Sequence, residues 1–307
     1  MNTIRTRGRA LPCMALLAAL IATLASPAIA ADGDADIDLR AAAGYRYDSN
    51  VSLADLDANL GAADGAAILE LSLDARLPVS ERLAVTLGYG LDHTGWQDFG
   101  EFDTTLHRLQ GDLAFRSGPW DAGIALRHFA ARLDGERFLD LRQFSPYGGR
   151  LFGQRLYLRA AATFSDRSFA DRGERDADGR AFDVDAYWLL DGMQRYLAVG
   201  LQLADEDAAS DALDFDGRRL RLTWGQAFGH VELKARAHYE ERDYAPGSEP
   251  DVAARRDERL RAGLALGVPL GERFTLEGEA AWADNASTVA EYAFAETILE
   301  LSLAAEF

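Results

Sequence analysis

Phe294-Ala295-Glu296-Thr297-Ile298-Leu299-Glu300-Leu301-Ser302-Leu303-Ala304-Ala305-Glu306-Phe307 alternates in polarity from its first residue to its last. Phe307, Ala305, Leu303, Leu301, Leu299, Thr297 and Ala295 fall on one face. Glu306, Ala304, Ser302, Glu300, Ile298 and Glu296 fall on the other. A period of two, with one greasy and one charged face and an aromatic residue at its end, suits a strand standing between lipid and water. A soluble sandwich shows such alternation in single strands, whereas this chain repeats it throughout.

Working outward, the same pattern marks fourteen segments: 36–51, 67–77, 83–95, 104–116, 120–133, 138–147, 155–165, 180–190, 195–205, 215–226, 230–243, 258–268, 273–284 and 294–307. Their lengths suit tilted membrane strands of ~9–11 residues or slightly more. Short connections carry turn chemistry: Pro78-Val79-Ser80-Glu81, Ser117-Gly118-Pro119, Asp191-Gly192, Phe228-Gly229 and Pro269-Leu270-Gly271-Glu272. A further short turn falls between Pro146 and Gln154. Longer acidic connections alternate with these, at 52–66, 96–103, 166–179, 206–214, 244–257 and 285–293. The tight Asp134-Gly135-Glu136-Arg137 is the exception. This second periodicity predicts an all-β fold: a single 14-stranded antiparallel transmembrane β-barrel with short periplasmic turns, longer acidic extracellular loops and both termini in the periplasm.

The first thirty residues read as a cleaved signal peptide rather than as part of the fold. Arg5, Arg7 and Arg9 precede the apolar stretch Met14 to Leu24, and Ala28-Ile29-Ala30 is a small-residue cleavage site. The barrel is therefore expected over 31–307, in the outer membrane of a Gram-negative cell. Removal of the signal also removes Cys13, the one cysteine, and with it any disulfide or thiolate metal site. The chain carries 32 basic and 50 acidic residues. Without the three signal arginines the balance is 29 against 50, a net of −21. Such charge argues against nucleic acid as a partner. The sequence is 48% hydrophobic, yet no apolar run after residue 30 has the length of a membrane helix.

With the apolar parity facing lipid, bands form such as Ile37/Leu39/Ala41/Ala43/Tyr45, Leu69/Leu71/Leu73/Ala75 and Val231/Leu233/Ala235/Ala237/Tyr239. Phe115, Trp120, Trp188, Trp224, Phe274 and Phe307 sit near one set of strand ends. Tyr45, Tyr89, Phe164, Tyr239 and Trp282 sit near the other, which makes two interfacial girdles. The opposite parity predicts a charged lumen. Arg219, Arg221, Lys234, Arg236, Arg259 and Arg261 form a basic wall. Asp38, Glu70, Asp74, Glu277, Glu279, Glu296 and Glu300 form an acidic one, diluted by Arg40 and Arg76. Opposed walls orient dipolar solutes, whereas charges paired with one another would stiffen the barrel instead. Fourteen strands lean toward an open pore, with 52–66, 166–179 and 244–257 placed to fold in and narrow it.

Catalysis is not expected. His93, His107 and His128 have lipid-facing parity near the outer interface, with Thr105 and Asp92 as the nearest helpers; Asp92 points the other way and no serine stands beside them. A polar fringe facing lipopolysaccharide phosphates fits them better, and His230 and His238 read as pore lining. The loops carry Asp55, Asp57, Asp64, Asp98, Glu101, Asp103, Asp205, Glu206, Asp207, Asp211, Asp214, Glu249 and Asp251. Asp205-Glu206-Asp207 and Asp211/Asp214/Asp216 offer the hard oxygen ligands calcium favours, but in no calcium-loop spacing, so solvated loops bridged by cations are the expectation. No metal site and no cofactor is expected.

The run Gly44-Tyr45-Arg46-Tyr47-Asp48-Ser49-Asn50-Val51 resembles the first strand of the C-terminal barrel module of surface lipoprotein assembly modifiers and related porins. Arg255-Arg256-Asp257-Glu258-Arg259-Leu260, Asp284-Asn285-Ala286-Ser287 and Tyr292 fit that resemblance near the other end of the chain. It implies a 14-stranded barrel. In that family a periplasmic helical-repeat domain precedes the barrel, whereas here the first strand follows the cleavage site within a few residues. The reading is a porin passing polar solutes, with a translocator for lipoprotein or polysaccharide, or a non-conducting adhesive barrel, as alternatives. Expected partners are outer-membrane lipid and lipopolysaccharide, the barrel-assembly machinery through the strand ending at Phe307, and periplasmic cargo or an accessory protein. The barrel is expected to be a monomer.

Overall fold

The computed structural model describes residues 35–53, 56, 58–246 and 254–307. The expected signal peptide and loop residues Asp55, Asp57, Glu249 and Asp251 lie outside these. The barrel strands are β1 (Asp36–Asp48), β2 (Asp64–Pro78), β3 (Leu83–Trp96), β4 (Thr104–Ser117), β5 (Trp120–Leu133), β6 (Glu136–Phe152), β7 (Leu156–Phe169), β8 (Ala177–Leu189), β9 (Arg195–Ala208), β10 (Phe215–Phe228), β11 (Val231–Tyr244), β12 (Arg256–Pro269), β13 (Phe274–Ser287) and β14 (Phe294–Glu306). Each pairs antiparallel with its sequence neighbours, and β14 pairs with β1 to close the barrel. Phe307 completes the seam by exchanging backbone hydrogen bonds with Leu39 at 2.9 and 3.2 Å. At ~4.8 Å between strands and ~40° of tilt, the backbone cylinder is about 28 Å across.

Hydrophobicity is inverted relative to a soluble sandwich. The buried apolar residues are mostly alanines, and the large ones face outward: Leu87, Leu109, Leu126, Phe182, Leu201, Leu203, Leu264 and Leu301 are all exposed. Aromatic rims flank this band, with Phe115, Trp120, Phe152, Trp188, Phe228 and Phe274 toward the short turns and Tyr45, Phe164, Tyr239 and Trp282 toward the loops. Closure leaves the barrel sheet without an edge strand, so its backbone groups find partners within the wall except where a ladder lapses.

Strands run further than the polarity pattern indicates, chiefly at the loop end. β2 starts at Asp64, β7 continues to Phe169 and β8 starts at Ala177. Asp205-Glu206-Asp207 is therefore strand rather than loop, and only Glu206 faces inward, where it meets Arg167 at 2.9 Å. Ladder hydrogen bonding does not stop where the lipid does, so acidic residues mark the membrane boundary and not the end of pairing. The turn expected near Pro146 is also displaced. β6 runs through it to Phe152 and turns at Gly153, while pairing to β7 lapses between Phe144 and Tyr147. Proline has no N–H to give that ladder, and Ser145 Oγ and Thr163 Oγ1 meet across the gap at 2.9 Å. At the one tight hairpin of the loop end, Asp134 and Gly135 both take positive φ, at 49° and 78°. That is the geometry an Asp-Gly turn of type I′ requires.

Candidate functional site

The inner wall is built by alternate residues of every strand, and two cavities open onto it. One, of about 550 Å³, follows the arc from β11 through β14 and β1 to β2. Arg40, Lys234 and Arg236 face Glu70, Glu232, Glu277, Glu279, Glu300 and Glu306 there, so carboxylates outnumber basic groups. The other, of about 490 Å³, follows β5 to β10 and is lined by Arg127, Arg159 and Arg221 against Asp183 and Asp185.

The charges pair locally. Arg40 bridges Glu70, at 2.9 Å, and Glu277. Arg46 meets Glu300 at 2.9 Å, Arg236 meets Glu279 at 3.7 Å and Lys234 meets Glu232 at 3.4 Å. Arg219 binds Glu240 at 2.8 Å, and Arg221 reaches Asp183 and Asp185 at 2.9 and 3.0 Å. Asp74 accepts from Gln110 at 3.0 Å and stands opposite Asp38 in the ladder. Arg261 makes no ion pair among the described residues. The residues expected as two walls keep to separate arcs of the barrel, joined among the described residues by Arg236 and Glu279, and most basic ones carry a carboxylate within reach. Asp183, Asp185 and Glu240, which neutralise Arg219 and Arg221, belong to neither expected wall. Arg127 and Arg159 also escaped the grouping by strand, because their distinction is that they form no ion pair among the described residues rather than the presence of a charge.

Tyr187 and Tyr196 line the second cavity, and Tyr147 and Tyr157 stand near it on the same inner face. Tyr147 lies over Gly123 and donates to Asp112 at 3.0 Å; Tyr157 lies over Gly149 and donates to Asp121 at 2.8 Å. Tyr196 lies over Gly225. Each glycine removes the side chain that would lift a ring off the wall. Arg159 in turn stacks on Tyr147 at 4.4 Å, and Tyr157 and Tyr187 sit 5.9 Å apart.

At the loop end, the described residues between 49 and 63 fold against the barrel. The Tyr-Asp-Ser-Asn-Val run turns this segment inward: Asp48 Oδ1 accepts from the Asn50 amide at 2.9 Å, and Ser49 Oγ from the Thr297 amide at 2.7 Å. The Asn50 side chain accepts from Gly61 N at 2.7 Å and donates to Ala295 O at 3.3 Å, while Val51 is wholly buried. Beyond it, the paired segments Ser52–Leu53 and Ala58–Asn59 carry Leu56 onto Leu139 of β6 and Phe169 of β7. Four strands separate β1 from β6, so the contact crosses the mouth toward the far wall. Ser52 Oγ donates to Glu296 at 2.8 Å, and Arg175 donates to Leu56 O at 3.3 Å. Of the segments expected to narrow the pore, 52–66 is the one whose described residues make this contact, while 247–253 lie outside the described residues.

Beside it, Arg255 lies between the rings of Tyr292 and Tyr244, at 3.7 and 4.3 Å, and binds the fully buried Asp257 at 2.5 Å. Arg259 adds Asp257 at 3.5 Å and Asn285 at 2.9 Å, and Asn285 donates to Tyr292 O. Burial, reinforced by Glu291, raises the Tyr292 phenol above its ordinary pKa and keeps it protonated.

Several acidic loop residues act on the backbone. After short 3₁₀ turns, Asp103, Asp176 and Asp214 reach back to the amides of Trp96, Phe169 and Ala208 at 2.7, 2.7 and 2.6 Å. Asp64, buried, accepts from Gly65, Asp98 and Phe99. These carboxylates close hairpins rather than standing solvated. On the outer face, His93 contacts Thr105, His107 contacts Tyr89 and His128 contacts Asp140, each at 2.9 Å. Asp140 is also held by Arg137, at 2.6 Å, and is a neighbour of His128 that the sequence reading passed over; Asp92 turns inward to Arg108.

No protein-family model matches the chain, and no curated protein matches it in sequence. Solved structures do match its fold. An anion-selective porin from Comamonas acidovorans aligns at 11% identity and TM-score 0.52, over 89% of this chain and 99% of that one. OmpT, an outer membrane protein of Vibrio cholerae, aligns at 10% identity and TM-score 0.54, over 91% and 100%. The chain has the fold of an outer-membrane β-barrel. At such identities the likeness is one of architecture alone.

Proposed function

We propose that the protein is an outer-membrane channel for small polar and charged solutes, with its short turns in the periplasm and its mouth narrowed by residues 49–63. One observation carries this reading. Below the apolar contact at Leu56, the inner wall is lined by charged and hydrogen-bonding side chains around two cavities, and among the described residues the one buried apolar cluster sits at the mouth. A barrel filled for stiffness alone has no need of polar hollows of this size. The carboxylate excess between β11 and β2 favours cations along that side. Export through a cleaved signal, insertion by the barrel-assembly machinery and contact with lipopolysaccharide complete the proposal.

The test is single-channel recording of the refolded barrel in a planar bilayer. A stable, charge-selective conductance is expected; silence from folded protein would overturn the reading. The segment across the mouth favours a second reading, a translocator that stays closed until a periplasmic partner or cargo engages it. This is also what the resemblance to lipoprotein assembly modifiers implies, and it predicts conductance only when that partner is added.

A further inference from the structure

We propose that the cavity between β5 and β10 is a subsite for a small hydroxylated organic anion, held by the Arg127 and Arg159 guanidiniums against the faces of Tyr187 and Tyr196. The inference rests on the channel reading for access but not for its chemistry.

The argument starts from where the nearby negative charges go. In the ladder Arg159 stands opposite Asp185, the natural partner, yet Asp185 is bound by Arg221. Asp183 accepts from both Arg221 and Gln202. Asp112 and Asp121 are taken by the hydroxyls of Tyr147 and Tyr157. Arg127 has neighbours Gln110 and Gln143 in the ladder, neither of them charged. Neither arginine forms an ion pair or a side-chain hydrogen bond among the described residues, although both line the cavity. Stacking on Tyr147 holds the Arg159 guanidinium flat while its N–H groups lack a carboxylate acceptor. A pair of guanidiniums in this state matches a carboxylate or phosphate, which their planar forks bind through two hydrogen bonds each.

The rest of the lining selects the body of the solute. The half-buried rings of Tyr187 and Tyr196 and small residues, Ala161, Ala198 and Gly200, lie beside the amide of Gln143 and the hydroxyls of Ser145, Thr163 and Thr223. Such a surface suits a compact solute with hydroxyls around its carbon frame. The volume of about 490 Å³ falls within the ~300–1,000 Å³ of small-molecule sites. A cation is disfavoured, since three arginines face two aspartates there.

The probe is sodium gluconate, with glucose as its uncharged counterpart, titrated calorimetrically into the refolded barrel in detergent. Gluconate is expected to bind at least about ten-fold more tightly than glucose, and the Arg127→Gln/Arg159→Gln double variant to weaken it about ten-fold or more. Arg159→Lys, which keeps the charge but loses the planar fork, should fall between. Equal binding of gluconate and glucose, or no gluconate binding, overturns the subsite on the unaltered protein, whatever the variants do. Gluconate binding that the folded double variant retains overturns the assignment to these arginines. Potassium chloride conductance is recorded in parallel: binding without conductance keeps the subsite and removes the channel, and conductance without binding does the reverse.

Discussion

Replacing Leu56 with alanine should loosen the segment across the mouth without loosening the barrel. Leu56 is 7% exposed, and its partners Leu139 and Phe169 are 8% and 5% exposed, so almost the whole side chain is removed from water. Burying a leucine is worth about 1.5–3 kcal/mol, and alanine retains a small part of it. At about 1.4 kcal/mol per factor of ten, the population in which Leu56 is undocked should rise by roughly five- to hundred-fold. The remaining anchors are polar and lie nearer β1 and β14: Ser52 to Glu296, Asn50 to Gly61 and Asn50 to Ala295. They tether the base of the segment and leave its tip free. The barrel itself is held by fourteen interstrand ladders that Leu56 does not join. Single-channel traces should therefore show openings that are more frequent or longer, while the thermal unfolding of the barrel stays nearly unchanged. Leu139→Ala, which removes the same contact from the opposite wall, should reproduce the effect. If both variants gate like the parent at equal folded fraction, the segment does not constrict the pore and the argument fails.

Charge reversal at Arg221 and Arg236 should move the reversal potential in a salt gradient toward cations, and more at Arg221, where Asp183 and Asp185 would be left facing a third carboxylate. Unchanged potentials would refute a selective role for these residues. Replacing Asp103, Asp176 or Asp214 by alanine should each cost about 1–3 kcal/mol in urea unfolding from vesicles, because a backbone N–H loses a charged acceptor. Changes below the error of the measurement would mean that water replaces the carboxylate freely. Gly149→Val should displace the Tyr157 ring and break its bond to Asp121, lowering the apparent stability by about 1–3 kcal/mol; Tyr157→Phe separates the two causes by removing the hydroxyl alone.

Strand count and barrel closure were legible in the sequence. They follow from a period of two and from turn chemistry, and both are local properties of a few adjacent residues. Pro146 misled the reading because a proline inside a strand looks like a turn until its missing N–H is seen to fall at a lapse in the ladder. The acidic runs misled it at strand ends, because polarity reports contact with lipid and pairing continues past the lipid.

The candidate site was legible only as a list of inward charges. Alternation put Arg219, Arg221 and Arg236 on the polar face of their strands, but which carboxylate meets which arginine depends on register across neighbouring strands. Asp185 stands beside Arg159 in the ladder and still belongs to Arg221, on the other side. The contact of Leu56 with Leu139 and Phe169 joins residues from opposite parts of the wall, and no local pattern announces it. By itself the sequence determined a closed antiparallel barrel with an apolar outer face, since hydrophobic periodicity is enough to choose a face. Only the tertiary structure decided which inner charges pair, that Arg127 and Arg159 form no ion pair among the described residues, and where Leu56 docks, because those outcomes depend on side chains brought together by closure of the barrel.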